Sequence, residues 1–487
     1  MTLDNEETLD PADWSSFRDS AHAMLDDMID HLAGLNDQPV WQAPSTAARQ
    51  ALTTPLPKSP TALDAVYQDF REHVLPFATG NAHARFFGWV MGNGTADGMM
   101  AEMLAAAMNA HLGGYDQGPT LVERQVLLWL TQIMAYPESA GGLLVSGGTM
   151  ANLIGLMVAR NQYDTTIGRA GVAGAGRLTV YASTETHSWV EKAADILGLG
   201  RDSVRRVACD SAGRLDVKSL RDAVAADREN GFHPFCVVGT AGTVDRGVVD
   251  DLEELADFCG DESLWFHVDG AFGALLALAP GYRHRLKGME RSDSLAFDLH
   301  KWGYLQYEVG CVLVRDAQLQ RQAFETAAAY LAPAGRGIQP ESLEFAAMGT
   351  QLSRGFRALK VWMGLRHHGT NKIGRLIEQN IRQAQYLLER IQQHPQLEQL
   401  GPAPLNIVCF RYRPTENLSD TELDALNLEI LLNIQESGEA VLSSTVRDGC
   451  FALRVNITNH RTRMSDIDRL ISTVESSGNG LLRGLKT

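Results

Sequence analysis

The sequence predicts an α/β protein whose large domain holds a mainly parallel sheet and whose C-terminal end forms a small α+β domain. Two patterns predict this class. Between residues 140 and 315, apolar runs alternate with helical stretches, which is typical of parallel strands covered by helices on both faces. Past Leu359, a long helical run leads into two strands with an amphipathic helix between them. A chain of 487 residues is long enough for two or three such units.

The N-terminal segment, residues 1–78, is expected to be helical. Asp10 can cap a helix that has Pro11 at its first position, and apolar residues then recur at helical spacing from Trp14 to Leu32. A connector rich in Pro, Ser and Thr follows, and a second helical stretch covers residues 62–75. These signals predict a boundary near residue 78.

The large domain is expected over residues 79–370 and the small domain over residues 371–487. The predicted strands of the large domain read GLLVS, LTVYAS, FCVVGT, LWFHVD, SLAFD and GCVLVR in chain order. The small domain is expected to contain the strands LNIVCFRYRP and CFALRVNITN.

Charge and cysteine usage exclude several function classes. The formal net charge of -16 argues against a nucleic-acid or anionic-membrane partner, which would call for clustered Lys and Arg. The six cysteines lie far apart and show no metal-ligand spacing, so we expect reduced thiols and no metal. The acidic N-terminus and the lack of a long apolar stretch favour a cytoplasmic protein.

Polar residues at the ends of the predicted strands are the candidates for chemistry, because ligands of open α/β sheets bind there. The first strand runs into Ser146-Gly147-Gly148-Thr149 at the start of a helix, where backbone N–H groups can hold a phosphate. Taken alone, a glycine turn before a helix is usually a plain connection.

Three more strand ends carry an aspartate, a lysine and a histidine. Asp269 could bind a protonated ring nitrogen, Lys301 follows a hydrophobic run where desolvation would lower its pKa and free its amine, and His187 opens a helix. Each is more often structural when it occurs singly. Together with the glycine turn they supply the parts of a pyridoxal 5′-phosphate (PLP) site: an anion site, a stacking group, a pyridinium partner and a Schiff-base lysine.

These segments resemble the group II PLP-dependent amino-acid decarboxylases, a family that includes aromatic-L-amino-acid, glutamate and diaminobutyrate decarboxylases. SGGTMAN is similar to the family's phosphate loop, THSWVEKA to its stacking-histidine segment, HVDGAFG to its aspartate segment and DLHKW to its lysine motif. GFRALKVWMGLRHHG and LRVNITNHRT are also typical, so the match runs nearly end to end. The resemblance implies a type I, aspartate aminotransferase-like fold and a homodimer with active sites at the subunit interface.

The resemblance also assigns roles to individual residues. It implies that Lys301 carries PLP as a Schiff base, that Asp269 pairs with the ring nitrogen and that His187 stacks on the ring. Ala271 is expected to support the opposite ring face, and His300 to lie beside the lysine facing the substrate. The implied phosphate contacts are Gly148, Thr149 and Thr243.

The chain departs from the family pattern at three places. The family often has Asn where this chain has Asp298, and a second threonine common near residue 244 is Val244 here. A Tyr-Phe-Pro run that helps form the substrate pocket of aromatic decarboxylases is replaced by Trp89, Val90 and Met91. We therefore expect Trp89 and Val90 to contact the substrate.

Tyr330 matches the family's tyrosine on a mobile loop and is expected to protonate the α-carbon after carbon dioxide leaves. The favoured substrate is aromatic: tryptophan, tyrosine or dihydroxyphenylalanine. Diaminobutyrate, glutamate or another polar amino acid stays open, since Asp116 and Gln117 can also reach the pocket.

Four rival functions fit the sequence less well. Two use the same fold, namely aminotransfer and the aldehyde formation of relatives with Phe at the loop position, and Tyr330 argues against both. A non-catalytic paralogue is disfavoured because Lys301, Asp269 and His187 are all present. A dinucleotide-binding oxidoreductase would need a GxGxxG turn that the candidate strands lack.

Overall fold

The computed structural model describes residues 7–325 and 333–484. The described chain contains two sheets and the helices that cover them. The helices are α1 (Trp14–Ala33), α2 (Thr46–Ala51), α3 (Leu63–His73), α4 (Ala96–Met108), α5 (Gly118–Ile133), α6 (Gly148–Tyr163), α7 (Ile167–Ala170), α8 (Trp189–Ile196), α9 (Val217–Glu229), α10 (Leu252–Glu262), α11 (Ala317–Phe324), α12 (Ala358–His368), α13 (Thr370–Gln393), α14 (Asp420–Glu436) and α15 (Met464–Gly484). The strands are β1 (Gly141–Val145), β2 (Arg177–Ser183), β3 (Val204–Val207), β4 (Phe232–Thr240), β5 (Trp265–Asp269), β6 (Ser294–Asp298), β7 (Gly310–Val314), β8 (Leu397–Gln399), β9 (Ile407–Tyr412), β10 (Ser443–Arg447) and β11 (Cys450–Asn456).

The large sheet has seven strands in the order β1-β7-β6-β5-β4-β2-β3. Strands β2 to β6 pair in parallel, whereas β7 runs antiparallel to both of its neighbours, β1 and β6. All six predicted strands are present, so the predicted mainly parallel α/β class is confirmed. The sequence prediction missed β3, a short VRRV segment at the sheet edge whose first three residues are only half-buried.

The central strands of the large sheet are buried on both faces, which explains their near-continuous apolar sequences. One core lies between the sheet and helices such as α9, α10 and α13, and a second lies beneath α6 and α8. Helix α6 packs across β4, β5, β6 and β7. This packing fixes the N-terminus of α6 over the carboxyl ends of the parallel strands.

The small sheet is antiparallel, in the order β10-β11-β9-β8, and packs against α13, α14 and α15. Both predicted strands are present, while the short β8 and the alternating β10 were not predicted. The stretch before α4 joins this unit, because Phe87 lies in its core and exchanges backbone hydrogen bonds with Val441 and Asn456. The small sheet is therefore held to the large domain close to the carboxyl ends of its strands.

The N-terminal segment is helical, as predicted, but the N-cap of its first helix, α1, is not the predicted residue. Asp13, not Asp10, caps α1: its side chain accepts a hydrogen bond from the Ser15 N–H. No residue of α1 is buried, and Trp14, Phe17 and Ile29 are exposed. None of the helices in the described ranges has the length and apolarity that crossing a membrane requires.

Candidate active site

A cavity of about 390 Å³ opens at the carboxyl ends of the parallel strands. It is bordered by the turn into α6, the ends of β4, β5 and β6, and the segment after β2. Its described lining residues are Val90, Ser146, Gly147, Gly148, Thr149, Met150, Asn152, His187, Trp189, Thr240, Gly242, Val244, Asp269, Ala271, Phe272, Asp298, His300, Lys301 and Glu308.

The turn between β1 and α6 forms one wall of this cavity. Gly147 is the N-cap of α6 and has no side chain to cap the helix, so the first backbone N–H groups have no side-chain acceptor. A Cβ at Gly148 would lie 2.9 Å from the Cβ of Ala271, too close for any larger residue. The turn thus presents bare N–H groups and the positive end of the helix dipole to an anion.

Asp269 ends β5 at the cavity wall and is 6% exposed. Its Oδ2 accepts a 2.6 Å hydrogen bond from the indole Nε1–H of Trp189, and its Oδ1 accepts one of 3.1 Å from the Ala271 N–H. Two donors from different segments therefore fix the orientation of this carboxylate. A buried, oriented carboxylate is suited to bind a protonated ring nitrogen.

Lys301 follows β6 by three residues, and its Nζ lies 2.8 Å from Oδ2 of Asp298. Burial is the largest single influence and lowers the pKa of Lys301, but the carboxylate of Asp298, together with Asp269 and Tyr307, raises it, and the net shift of this pKa is upward. The expectation of a lowered lysine pKa is therefore wrong for this arrangement. The sequence alone does not show that the carboxylate of Asp298 lies beside the Lys301 amine.

Two histidines border the lysine at different depths. His300 is buried; its Nδ1 accepts a hydrogen bond from the Val309 N–H, and its ring lies 4.5 Å from the ring of Tyr307. Burial is the main cause of the lowered pKa of His300, which favours the neutral ring. His187 is exposed, and its Nδ1 accepts a hydrogen bond from the Trp189 N–H. That bond leaves the Nε2 edge of His187 available at the cavity wall.

Most of the predicted site residues come together in the cavity, but four do not. Thr243 is fully buried, and its hydroxyl accepts a hydrogen bond from the Val248 N–H within its own turn. Trp89 is 49% exposed and lies outside the cavity wall, whereas Val90 lies on it. Asp116 and Gln117 also lie away from the wall. Tyr330 falls outside the described residues.

The structure adds site residues that sequence reasoning missed. Trp189 contacts Asp269 directly, although its place in the THSWVEKA segment gave no sign of this bond. Asn152, one turn into α6, reaches the wall and bonds His267 beneath it. Glu308 adds a further carboxylate at the rim. Only the spacing of Asn152 along α6 could have indicated its position.

The residues present fit PLP. The cavity joins an uncapped helix N-terminus for a phosphate, a buried carboxylate for the ring nitrogen and a lysine amine within one space. One feature opposes the fit, because Asp298 brings a second buried negative charge close to the anion site.

Comparisons with known proteins agree with this geometry. Residues 45–413 match the model of the pyridoxal-dependent decarboxylase conserved domain. An aromatic-L-amino-acid decarboxylase of Bacillus atrophaeus is 32% identical over an alignment that covers 94% of this chain and 95% of the Bacillus chain.

Two crystal structures superimpose over 97% of the chain. Oryza sativa TDC with PLP and tryptamine has a TM-score of 0.90 at 26% identity and is covered over its whole length. The glutamate decarboxylase domain of a Vibrio parahaemolyticus diaminobutyrate-pyruvate transaminase and L-2,4-diaminobutyrate decarboxylase has a TM-score of 0.85 at 28% identity and is covered over 97%. The chain therefore belongs to the pyridoxal-dependent decarboxylase family and is a PLP-dependent amino-acid decarboxylase.

Proposed function

We propose that this enzyme decarboxylates an aromatic L-amino acid, with Lys301 as the residue that carries PLP. The observation that supports the assignment most is the meeting of Lys301, Asp269 and the α6 N-terminus around one cavity. The phosphate would be held by the backbone N–H groups at Gly148 and Thr149. The pyridinium nitrogen would face Asp269.

Each residue then has a distinct task. When bound, PLP would supply an electron sink for the electron pair that stays on the α-carbon when its bond to the carboxylate breaks and carbon dioxide leaves. Asp269 holds the proton at the ring nitrogen, because its own orientation is fixed by Trp189 and by the backbone of Ala271. His187 and Ala271, both on the cavity wall, would hold the ring. The Lys301 amine must lose a proton before it can bond to a carbonyl, and Asp298 is the nearest acceptor.

His300 is proposed to face the substrate beside Lys301. Its lowered pKa keeps the ring neutral, and with Nδ1 occupied by the Val309 N–H the proton resides on Nε2. The Nε2–H can then donate a hydrogen bond to the substrate carboxylate before it departs. Tyr330 is proposed to return a proton to the α-carbon, a role that rests on the sequence resemblance alone.

An aromatic substrate is supported by the wall composition and by the relatives. Among the described residues, the cavity wall carries Lys301 as its lysine and has no arginine, so a side-chain carboxylate such as that of glutamate would lack a cation of its own. Val90, Met150 and Phe272 provide apolar surface. The Bacillus relative is described as an aromatic-L-amino-acid decarboxylase, and the Oryza sativa structure contains tryptamine.

A diaminobutyrate decarboxylase is the second candidate. Glu308 lies at the cavity wall with a half-exposed side chain, and its carboxylate could pair with a substrate ammonium. Arg357 already binds that carboxylate at 2.8 Å, which weakens the case. Measuring carbon dioxide release from tryptophan, tyrosine, dihydroxyphenylalanine, diaminobutyrate and glutamate separates the two candidates. Release from diaminobutyrate alone would reject the aromatic assignment.

The lysine assignment has its own experiment. Sodium borohydride should fix PLP to the protein and remove its visible absorption, and peptide mapping should find the label on Lys301. Label on another lysine, or no label although PLP is bound, would reject the proposed site.

A homodimer with interfacial active sites is part of the proposal. The N-terminal helices leave apolar side chains uncovered, among them Trp14 and Phe17 on α1 and Val66 on α3. His187 and Thr149, both proposed to contact PLP, are exposed in the single chain, so a partner is expected to cover that side. Light scattering coupled to gel filtration should give twice the mass of one chain.

The proposed domain division is residues 1–78, 79–370 and 371–487. Gly369, with φ of 71°, separates α12 from α13 and supports the second boundary. The six free cysteines support a cytoplasmic location. Fluorescent tagging in the source cell would test this location.

A further inference from the structure

The side chain of Asn152 is almost fully buried, yet it borders the cavity of the candidate active site. It is 1% exposed and lies one turn after Gly148 on α6. Its Oδ1 lies 2.7 Å from Nε2 of His267, whereas its Nδ2 has no hydrogen-bond partner among the described residues. With Oδ1 turned to His267, Nδ2 is the part of the amide left to face the cavity.

The orientation of this amide follows from the hydrogen bonds behind it. The indole N–H of Trp265 can only donate, and it donates to Ser294 Oγ at 2.8 Å. The hydroxyl hydrogen of Ser294, which is fully buried, then has one acceptor among the described residues, Nδ1 of His267 at 2.7 Å. Nδ1 of His267 therefore accepts a hydrogen bond from Ser294.

His267 passes this direction on to Asn152. Burial lowers the pKa of His267 to about 4, so near neutral pH its ring is uncharged and carries one N–H. Because Nδ1 accepts, that N–H is at Nε2 and donates to Oδ1 of Asn152. The reverse arrangement would leave the Ser294 hydroxyl without an acceptor and place Oδ1 against a bare Nε2. The Asn152 amide therefore presents its N–H groups, not its oxygen, to the cavity.

Close packing holds the His267 ring in this position. A Cβ at Gly155 of α6 would lie 2.7 Å from Cε1 of His267 and 3.1 Å from Ser294 Oγ. Glycine inside a helix costs about 1 kcal/mol relative to alanine, and here it lets α6 approach the ring. Trp189 packs edge-on against the same ring, with centroids 5.7 Å apart. His267 is thus enclosed, and both ring nitrogens keep their partners.

Helix geometry directs the Asn152 amide towards the proposed phosphate site. Helical side chains lean towards the N-terminus of their helix and cover the turn that precedes their own Cα. For Asn152 that turn begins at Gly148, whose backbone N–H is proposed to hold the phosphate of PLP. A protonated ring nitrogen cannot accept a hydrogen bond from an amide, whereas phosphate oxygens can. The acceptor that suits Nδ2 is therefore a phosphate oxygen.

We propose that Asn152 binds PLP by donating an amide N–H to a phosphate oxygen, and that Ser294 and His267 are positioning residues that keep the amide in this orientation. The inference rests on the proposed PLP site. Asn152 extends the phosphate site from the backbone N–H groups of Gly148 and Thr149 to a side chain one turn further along α6. It adds a donor without adding a charge.

The test compares the apoenzymes of wild type and Asn152→Leu, with PLP and with pyridoxal, which lacks the phosphate, as probes. Leucine is close to asparagine in shape but has no donor. The Kd for PLP from absorbance titration should rise by about tenfold to a hundredfold, the range expected for a hydrogen bond to a charged group. The Kd for pyridoxal should stay unchanged.

Asn427→Leu is the matched control. It removes an equally buried amide from the small domain, where Nδ2 of Asn427 donates to the Tyr412 carbonyl at 2.9 Å. This variant should lose stability but keep the wild-type Kd for both probes. An unchanged PLP Kd in Asn152→Leu, or equal losses for PLP and pyridoxal, would overturn the proposal, since the lost contact would then not be one to the phosphate.

The orientation of the amide has its own readout. Nitrogen-15 NMR of histidine-labelled wild type, with His267→Gln used to assign the signal, should show a neutral His267 ring with its proton on Nε2. A proton on Nδ1 would overturn the proposal, because the Asn152 oxygen would then face the phosphate.

A second variant covers the case in which Asn152→Leu fails to fold. Asn152→Asp keeps an oxygen for the Nε2–H of His267, and its negative charge should weaken the binding of PLP but not that of pyridoxal. Equal effects on the two probes would again overturn the proposal. Failure of borohydride to fix PLP on Lys301 would instead reject the underlying site.

Discussion

The indole of Trp189 and the carboxylate of Asp269 form a buried pair: Nε1–H donates a 2.6 Å hydrogen bond to Oδ2. Trp189 begins α8 and Asp269 ends β5, so this bond connects the helix that follows His187 to the strand that presents the proposed pyridinium partner. The orientation of Asp269 therefore depends on a side chain that need not itself contact the cofactor.

Trp189→Phe should lower kcat by about tenfold or more while PLP stays bound, because a hydrogen bond to a charged group contributes about 1.5 to 3 kcal/mol. Trp265→Phe is the matched control, since Trp265 Nε1–H donates to Ser294 Oγ at 2.8 Å, away from Asp269. Both variants should lose thermal stability. Equal kcat losses in the two would show that Trp189 acts only through stability.

Asp269→Ala should keep part of the PLP bound but remove most turnover, because an unprotonated ring is a poor electron sink. The lost ionic contact is expected to cost about 1 to 3 kcal/mol of PLP affinity. Absorbance titration measures the affinity, and amine formation measures turnover. Near-normal decarboxylation by this variant would contradict the role given to Asp269.

Tyr330→Phe should lower amine production by about 10²- to 10⁴-fold, the usual contribution of a general acid. Without the Tyr330 hydroxyl, protonation of the α-carbon is slow, so oxygen has time to react at that carbon instead. Aldehyde, ammonia and peroxide should therefore appear under air and disappear under nitrogen. An unchanged amine yield without peroxide would transfer the acid role to another group, with His300 the next candidate.

His267 should make the protein less stable in acid. It is fully buried with Nε2 bonded to Asn152 and Nδ1 to Ser294, and burial lowers its pKa from 6.5 to about 4. Below pH 6.5 the imidazole of His267 binds a proton in the unfolded chain but stays neutral in the folded chain. The contribution of His267 to the free energy of unfolding is therefore complete above pH 6.5 and falls as pH drops towards 4.

The check for His267 is the thermal midpoint from pH 8 to 5 in wild type and His267→Gln. One such group contributes at most about 1.4 kcal/mol of stability change per pH unit. The wild type should lose more stability than the variant across this range. Parallel curves would show that His267 does not titrate as described.

The large sheet was predictable because its strands are near-continuous apolar runs ended by polar residues. The missed strands β3 and β8 have only four and three residues, and β10 is a mainly polar strand that is only partly buried. The α1 cap was misjudged since Asp10-Pro11 and Asp13 both offer acceptable capping chemistry, and only the folded chain shows which one bonds.

The site was predictable as far as strand ends determine it. Lys301, Asp269 and Gly148 follow strands of one sheet, so topology alone brings them together. Side-chain placement was not predictable: the Thr243 hydroxyl bonds within its own turn, and Trp89 is half exposed and not part of the cavity wall. The upward pKa shift of Lys301 also required knowing that Asp298 lies 2.8 Å away.

The antiparallel strand β7 has a consequence for the order in which the enzyme is built. The glycine turn at the start of α6 follows β1, an edge strand whose only partner in the described sheet is β7, far later in the chain. During synthesis, β1 therefore cannot pair with another strand of the described sheet until residues 310–314 have left the ribosome. We expect nascent chains that stop before β7 to bind no PLP, so loading of the cofactor follows synthesis of the whole large sheet.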